Sequence, residues 1–225
     1  MSVFQTITAI ITTILATSGL CMGACSLVYA KLPAWRYRQE AERKLKGSPF
    51  WWRVSLNMLF SVACVYTFLV FPADYLYNAE PIVWWKGLLQ VVAVLGVYDF
   101  LYYFLHRYPF HQWSVLKRVH GVHHQARAPK AIDSLFLHPV ENFLALLLFA
   151  ACVWLVGPVN VYWFGLTFII HNWFNILVHA GVDLHVPYIR SMTKKHHKHH
   201  EHMRGGNFAS LSPLPDMLFG TTEQG

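Results

Sequence analysis

A chain of 225 residues that is 55% hydrophobic and 13% charged does not have the make-up of a soluble domain, in which about a quarter of residues are charged. The same figures exclude a disordered, collagenous or coiled-coil protein, and 16% aromatic residues with nine Trp suit a chain that lines two membrane–water interfaces. The formal net charge is +7, and the 14 His outnumber the 11 acidic residues.

The first charged residue is Lys31, so residues 3–29 form an uncharged apolar run, long enough to cross a bilayer core of about 30 Å. A cleaved secretory signal fits less well, because the run is overlong and no basic residue precedes it. Residues 33–52 mix Trp35, Tyr37, Phe50, Trp51 and Trp52 with basic side chains, which predicts a segment lying along the interface. Further apolar runs cover residues 54–71, 82–105 (interrupted by Lys86 and Asp99), 143–156 and 161–178. The fourth run is short for a full crossing, and Gly157-Pro158 turns it into a hairpin with the fifth. Cys21, Cys25, Cys64 and Cys152 all lie inside apolar runs and read as small hydrophobes. The predicted fold is an all-α, polytopic membrane helical bundle of about four to five spans, capped by a histidine-rich metal-binding region. Nothing in the sequence marks a linker, so residues 1–92, with the first spans, and residues 93–225, with the catalytic region, are expected to form one structural unit.

Charge orients this bundle. Residues 31–53 hold seven Lys/Arg, residues 107–130 five and residues 190–204 five, so 17 of the 18 basic residues fall in three segments that this topology puts on one face. Lys86 can snorkel at the other interface, where the loop carries Asp74 and Glu80. By the positive-inside rule the three basic segments are cytoplasmic. Topology thus accounts for the basic charge, and a nucleic-acid partner is not expected.

Nine histidines map to the same cytoplasmic face: His106, His111, His120, His123, His124, His179, His196, His199 and His200. His106 and His111 are about 140° apart on an ideal helix, but Pro109 between them should end or kink it and let His111 swing back. His120, His123 and His124 stand at i, i+3 and i+4, as do His196, His199 and His200, so each set of three is expected to project from one helix face. Neutral imidazole is the commonest metal ligand, and nine such groups would repel one another if protonated without a metal. Imidazole suits Zn, Cu, Fe and Ni, and nine ligands exceed the four of a closed zinc site. Two ions with open positions fit the number. A membrane metal-ion transporter and a bis-histidine haem protein are the rival readings. The first would distribute His through the spans, and the second would need paired rings rather than clusters.

The order H-x4-H, H-x-x-H-H, a lone His after a hairpin, then H-x-x-H-H resembles the fatty acid hydroxylase/sterol desaturase superfamily of integral membrane oxygenases. Asp99 through Tyr102-Tyr103 to His106-Arg107 resembles its D-x-x-Y-Y-x-x-H-R. His138-Pro139-Val140-Glu141 resembles its H-P-x-E, and Asn207-Phe208-Ala209 followed by Asp216 to Thr221 resembles its closing motif. Ala209 and Pro215 stand where that motif has Gly and Trp, and Asn175 stands where some members have a further His. His138-Pro-x-Glu141 and His179-Ala-Gly lean towards the sterol desaturase branch.

The resemblance implies two iron ions on the nine His, with zinc as a possible substitute, and oxidation of a lipid C–H bond by O2. The product would be a hydroxylated or desaturated sterol-like or fatty acyl lipid. The membrane would be a bacterial inner membrane or the endoplasmic reticulum. Neither a dinucleotide fingerprint nor a haem-attachment motif is present in the sequence. A separate electron carrier, of ferredoxin or cytochrome b type and with its reductase, is therefore implied. Around the ligands, Asp99 is expected to accept a ring N–H from one of them. Asn175 is expected to act at the metal through water or a hydrogen bond. His138 and Glu141 are expected to support the ligands, and His171 to face a cavity inside the fifth span. His185 is read as a surface residue, and His197 and His202 as flanking positions.

This topology predicts that a reporter fused after Gly225 is cytoplasmic and that one inserted between Asp74 and Glu80 lies across the membrane. Two reporters on one side would overturn the assembly of the nine histidines on a single face.

Overall fold

The computed structural model describes residues 1–37 and 45–223. Five helices are long and apolar enough to cross a membrane, and they are joined by short elements. In chain order the helices are α1 (Val3–Lys31), α2 (Gly47–Val65), α3 (Ala73–Leu76), α4 (Trp84–Leu105), α5 (Ser114–His120), α6 (Pro139–Val156), α7 (Val161–Val178), α8 (Pro187–Glu201) and α9 (Leu214–Leu218). The spans are α1, α2, α4, α6 and α7. π-helical turns extend α2 over Tyr66–Val70 and α4 over His106–Phe110.

Local chemistry explains the boundaries. α1 begins at a capping box in which Ser2 Oγ accepts from the Gln5 amide and Gln5 Oε1 accepts from the Ser2 amide. Its Thr8, Thr12 and Ser18 hydroxyls donate to carbonyls one turn back, which satisfies them inside an apolar span. α6 starts four residues before the apolar run at 143–156, because Pro139 suits the first turn and His138 Nδ1 caps it by accepting from the Val140 amide (3.1 Å). At 18 residues it is about 27 Å long, close to the bilayer core, so the expectation of a short fourth run is corrected.

α2 likewise starts at Gly47 rather than at residue 54. Phe50, Trp51 and Trp52, expected along the interface, lie in its first turns, because Phe50 is buried against Phe136 (ring centroids 5.1 Å). Residues 38–44 of the expected interfacial segment lie outside the described residues. Pro109 does not break α4 but sits in the π turn, where the widened backbone tolerates its missing N–H.

α1 packs on α7, α2 on α6, and α4 on both α6 and α7. At the end away from the histidines, Ile7, Ile11, Phe149, Phe164 and Phe168 form the fully buried core. There the loop before α4 and the turn before α7 are stitched by a two-residue parallel pairing, Tyr77 with Val159 and Asn78 with Asn160. Asn160 completes the joint: its Oδ1 accepts from the Tyr162 amide (3.1 Å) and its Nδ2 donates to the Glu80 carbonyl (2.8 Å). This pairing sets α4 and α7 running in the same direction from a common level.

The two helices meet closely at Gly87, where an added Cβ would lie 2.0 Å from the Trp163 ring, whereas at Gly96 nothing lies within 4 Å. Overpacking of this kind costs about 1–3 kcal/mol. Gly87→Val is expected to lower the thermal unfolding midpoint in detergent by several degrees, and Gly96→Ala to leave it unchanged or slightly raised. Equal behaviour of the two would contradict the close crossing.

Candidate metal centre

The nine sequence-predicted histidines come together at one end of the bundle, in two groups. His106, His111, His120, His124 and His199 form one, and His123, His179, His196 and His200 the other. Within each group the ligand atoms lie within 4.8 Å of one another. The expectation that each H-x-x-H-H presents its three rings together is corrected. On a helix, i+4 lies about 40° from i and i+3 about 60° the other way, so i+3 and i+4 diverge. His196 and His200 on α8 face the group of four, while His199 crosses to the group of five. In the other motif α5 ends at His120 and a 3-10 turn carries His123–Gln125, yet the division repeats: His120 and His124 join the group of five and His123 crosses over. Each motif therefore serves both groups.

The rings are oriented from outside. Nδ1 donates to a main-chain carbonyl in six of them: His106 to Phe208 (2.7 Å), His111 to Met203 (2.9 Å), His123 to Phe136 (3.2 Å), His179 to Asn175 (2.7 Å), His199 to Gly206 (2.8 Å) and His200 to Ala126 (2.9 Å). In a seventh, His120 Nδ1 donates to Glu141 Oε1 (2.8 Å). A carbonyl can only accept, so the proton is on Nδ1 and Nε2 of a neutral ring is a bare lone pair. Burial keeps the rings neutral. It lowers His111 and His123 to about 4 and His199 to about 3, and holds His120, His124, His179, His196 and His200 well below the ordinary imidazole value.

Within the group of five, His106 Nε2 lies 3.0 Å from His120 Nε2, and within the group of four His179 Nε2 lies 3.2 Å from His123 Nε2. In the second pair both Nδ1 protons are held outward by carbonyls, so two lone pairs face each other with no hydrogen between them. That contact is repulsive unless a cation sits among the nitrogens. The donor set thus fits a metal ion in each group.

The segment after α8 acts as a strap for the group of five. Its Met203, Gly206 and Phe208 carbonyls hold three of that group's rings, and two buried carboxylates pin it. Asp216 accepts from the Phe208 and Ala209 amides and from Thr221 Oγ1. Asp99 accepts from the amides of Ser210, Leu211 and Ser212 and from Ser212 Oγ. The expected bond from Asp99 to a ligand ring is therefore corrected: Phe208 fills that role for His106, and the loop amides need an acceptor of their own. One further expectation changes: His138 caps α6 rather than supporting a ligand, whereas Glu141 does support one, at His120. Asn175 supports His179 through its carbonyl while its residue lines a cavity, and His171 lines the same cavity. His185 is exposed and paired with Asp183 (3.1 Å). His202 is exposed, and the buried His197 packs with its ring tilted against Tyr37 (centroids 5.6 Å). Sequence reasoning missed the carbonyl acceptors, for which no side chain gives a signal.

The cavity, about 490 Å3, runs from the rings of His106, His123 and His179 into the bundle and is lined by α1, α2, α4, α6 and α7. Its lining there is apolar, with Leu15, Met22, Met58 and Val62 among its residues.

Residues 91–221 match the sequence profile of the family described as fatty acid hydroxylase. The chain is 30% identical over 148 residues to methylsterol monooxygenase 1 of Rattus norvegicus, covering 63% of this chain and 49% of that protein. It is 30% identical over 141 residues to lathosterol oxidase of Mus musculus (61% and 46%). It is 28% identical over 158 residues to very-long-chain aldehyde decarbonylase GL1-11 of Oryza sativa subsp. indica (64% and 56%). The chain thus spans about half the length of these relatives. No solved structure matches.

The strap predicts that the two groups can be uncoupled. Asp99→Asn removes a charged acceptor from three amides and is expected to weaken metal binding at the group of five, since outer-partner loss lowers metal affinity about 10–100-fold, while the group of four keeps its affinity. Metal titration of purified protein measures this, and unchanged affinity would remove the strap from the account.

Proposed function

The chain belongs to the fatty acid hydroxylase family, and from that premise we propose that it is a membrane-bound, O2-dependent lipid oxygenase that hydroxylates or desaturates its substrate at a di-iron centre. His106, His111, His120, His124 and His199 would hold one iron, and His123, His179, His196 and His200 the other. Two irons there would supply the activation of O2 that an unactivated C–H bond requires. The observation that carries this reading is the convergence of nine histidine rings, six of them held through Nδ1 by main-chain carbonyls, on two points at the end of an apolar cavity. Zinc would compete for the same nitrogens, since affinity does not select iron.

The chain's own residues do the rest. The Nδ1 donors hold every fixed ring in the ligating tautomer. Glu141 fixes His120 while lining the cavity. Asn175, beside His179 and facing the same space, is placed to hold water or substrate near the group of four. The apolar walls exclude bulk water from the reacting bond. α1 and α2 both line the cavity, and a lipid would enter laterally from the bilayer past them. Residues 1–92 thereby supply part of the wall and residues 93–225 the rest of it together with the ligands, and the two act as one unit. A sterol-like or fatty acyl lipid suits such a cavity, and the methylsterol and lathosterol relatives favour the former. The positive-inside rule places the histidines on the cytoplasmic face, within reach of a separate ferredoxin or cytochrome b carrier and its reductase. A transporter fits poorly, because the metal-ligating groups sit at one end of the spans rather than along them.

Iron-loaded protein in nanodiscs, given O2, lipid, carrier and reductase, is expected to yield a product gaining one oxygen or losing two hydrogens by mass spectrometry. NAD(P)H alone should give none, and activity should fall as salt weakens carrier docking. His199→Ala is expected to lose activity by more than about 100-fold together with metal, whereas the exposed His185→Ala keeps both. Equal losses at the two positions, or turnover without a carrier, would refute the assignment.

A further inference from the structure

The cavity has a polar feature that lies well away from the histidines. Most polar groups on its wall are engaged by protein. Asn142 Nδ2 donates to Asn57 Oδ1 (3.1 Å) and Ser61 Oγ (2.6 Å), Ser18 Oγ donates to the Ile14 carbonyl (2.7 Å), and Asn172 Nδ2 to the Phe168 carbonyl (3.3 Å). Glu141 Oε2, at the histidine end, is buried without a hydrogen-bond partner among the described residues, and deeper in the cavity His171 is in the same position. Its Nδ1 is buried and has no hydrogen-bond partner among the described residues. Its ring stands on the cavity wall between Tyr98 (4.7 Å) and Phe149 (4.4 Å). Tyr98 is buried on the same wall, and its hydroxyl makes no hydrogen bond among the described residues. His171 as a whole is only half-buried, so the rest of its ring presents surface to the cavity beside the Tyr98 hydroxyl.

The helices fix the depth of this pair. His171 lies eight residues before His179 on α7, and Tyr98 eight before His106 on α4. The two helices run the same way from a common level, so the pair sits about 12 Å along the helix axes from the metal-facing rings. No Lys or Arg lines the cavity among the described residues, and the carboxylate that does, Glu141, sits at the histidine end. A phosphate or carboxylate drawn to that depth would find no counter-charge and would be strongly disfavoured.

We propose that His171 and Tyr98 form a docking site for an uncharged hydroxyl or carbonyl group of the lipid substrate, so that the bond presented to the histidines lies about 12 Å from that group. The inference rests on the lipid-oxygenase reading for the word substrate, but the binding itself needs neither metal nor turnover. The substrate class is then a neutral hydroxy- or oxo-lipid, and the site selects against free fatty acids and phospholipid headgroups.

The test is equilibrium binding to the purified full chain in nanodiscs, measured by displacement of tritiated cholestanol. Cholestanol is compared with cholestane, and octadecanol with octadecane and octadecanoate. In the wild type each alcohol is expected to bind about five- to tenfold more tightly than its hydrocarbon, the yield of one buried hydrogen bond, and octadecanoate more weakly than octadecanol. In His171→Phe and in Tyr98→Phe the alcohol's advantage should shrink by about fivefold in its ratio to hydrocarbon. Hydrocarbon affinity should stay at the wild-type level, which also reports that each variant is folded. Equal binding of alcohol and hydrocarbon, tightest binding of octadecanoate, or an unchanged preference in both variants would overturn the docking site. Because binding is read without turnover, failure of the oxygenase reading would leave these ratios intact, and their failure would leave the oxygenase reading intact.

Discussion

The hydrogen bond from a histidine Nδ1 to a carbonyl behind it is the interaction on which the rest of this structure depends. Made by one ring it is an ordinary contact. Made by six rings at once, with Glu141 serving a seventh, it fixes the tautomers and turns the lone pairs inward. Burial then keeps the rings neutral, because two groups of imidazolium ions could not share so little space. Removing the outward acceptors would free each ring to rotate and to form ordinary N–H···N bonds with its neighbours, and the two groups would lose their common points of convergence.

Those acceptors come from two kinds of support. The group of four relies on carbonyls close to stable helical turns: Asn175 within α7, Phe136 beside a 3-10 turn and Ala126 just past another. The group of five relies mainly on the strap at residues 203–208, which has no regular structure of its own and is held by Asp99 and Asp216. Asn207 adopts φ +58° there, a conformation that Asn tolerates better than most residues. The two groups therefore differ in mechanical security although their ligands come from the same two motifs.

The bundle serves the centre by setting depth. Pairing of Tyr77–Asn78 with Val159–Asn160 starts α4 and α7 at a common level, so that His106 and His179 arrive together at the far end, and Tyr98 meets His171 on the way. The core of Phe149, Phe164 and Phe168 closes the distal end of the bundle. Between that core and the histidines the helices part, because α1 follows α7 and α2 follows α6, and the cavity is what remains.

The sequence by itself determined the membrane spans, from hydropathy and charge, and the nine histidines, from their spacing and their position on the basic side. These are one-dimensional properties, and the composition carries them. It also determined the family, because the order of motifs along the chain is a string. Tertiary structure alone decided how the ligands divide. Residues at i+3 and i+4 diverge by about 100° on a helix, so His199 leaves its own motif for the opposite group; His123 does the same from a 3-10 turn beyond the end of α5, and which neighbour each meets depends on how these elements face each other. Tertiary structure also decided the parts of Asp99, His138 and Glu141. A carboxylate or an imidazole in a motif is legible, but its partner is whichever backbone donor or ring the fold brings within about 3 Å. The main-chain acceptors at Met203, Gly206 and Phe208 had no sequence signal at all, since every residue carries the same carbonyl.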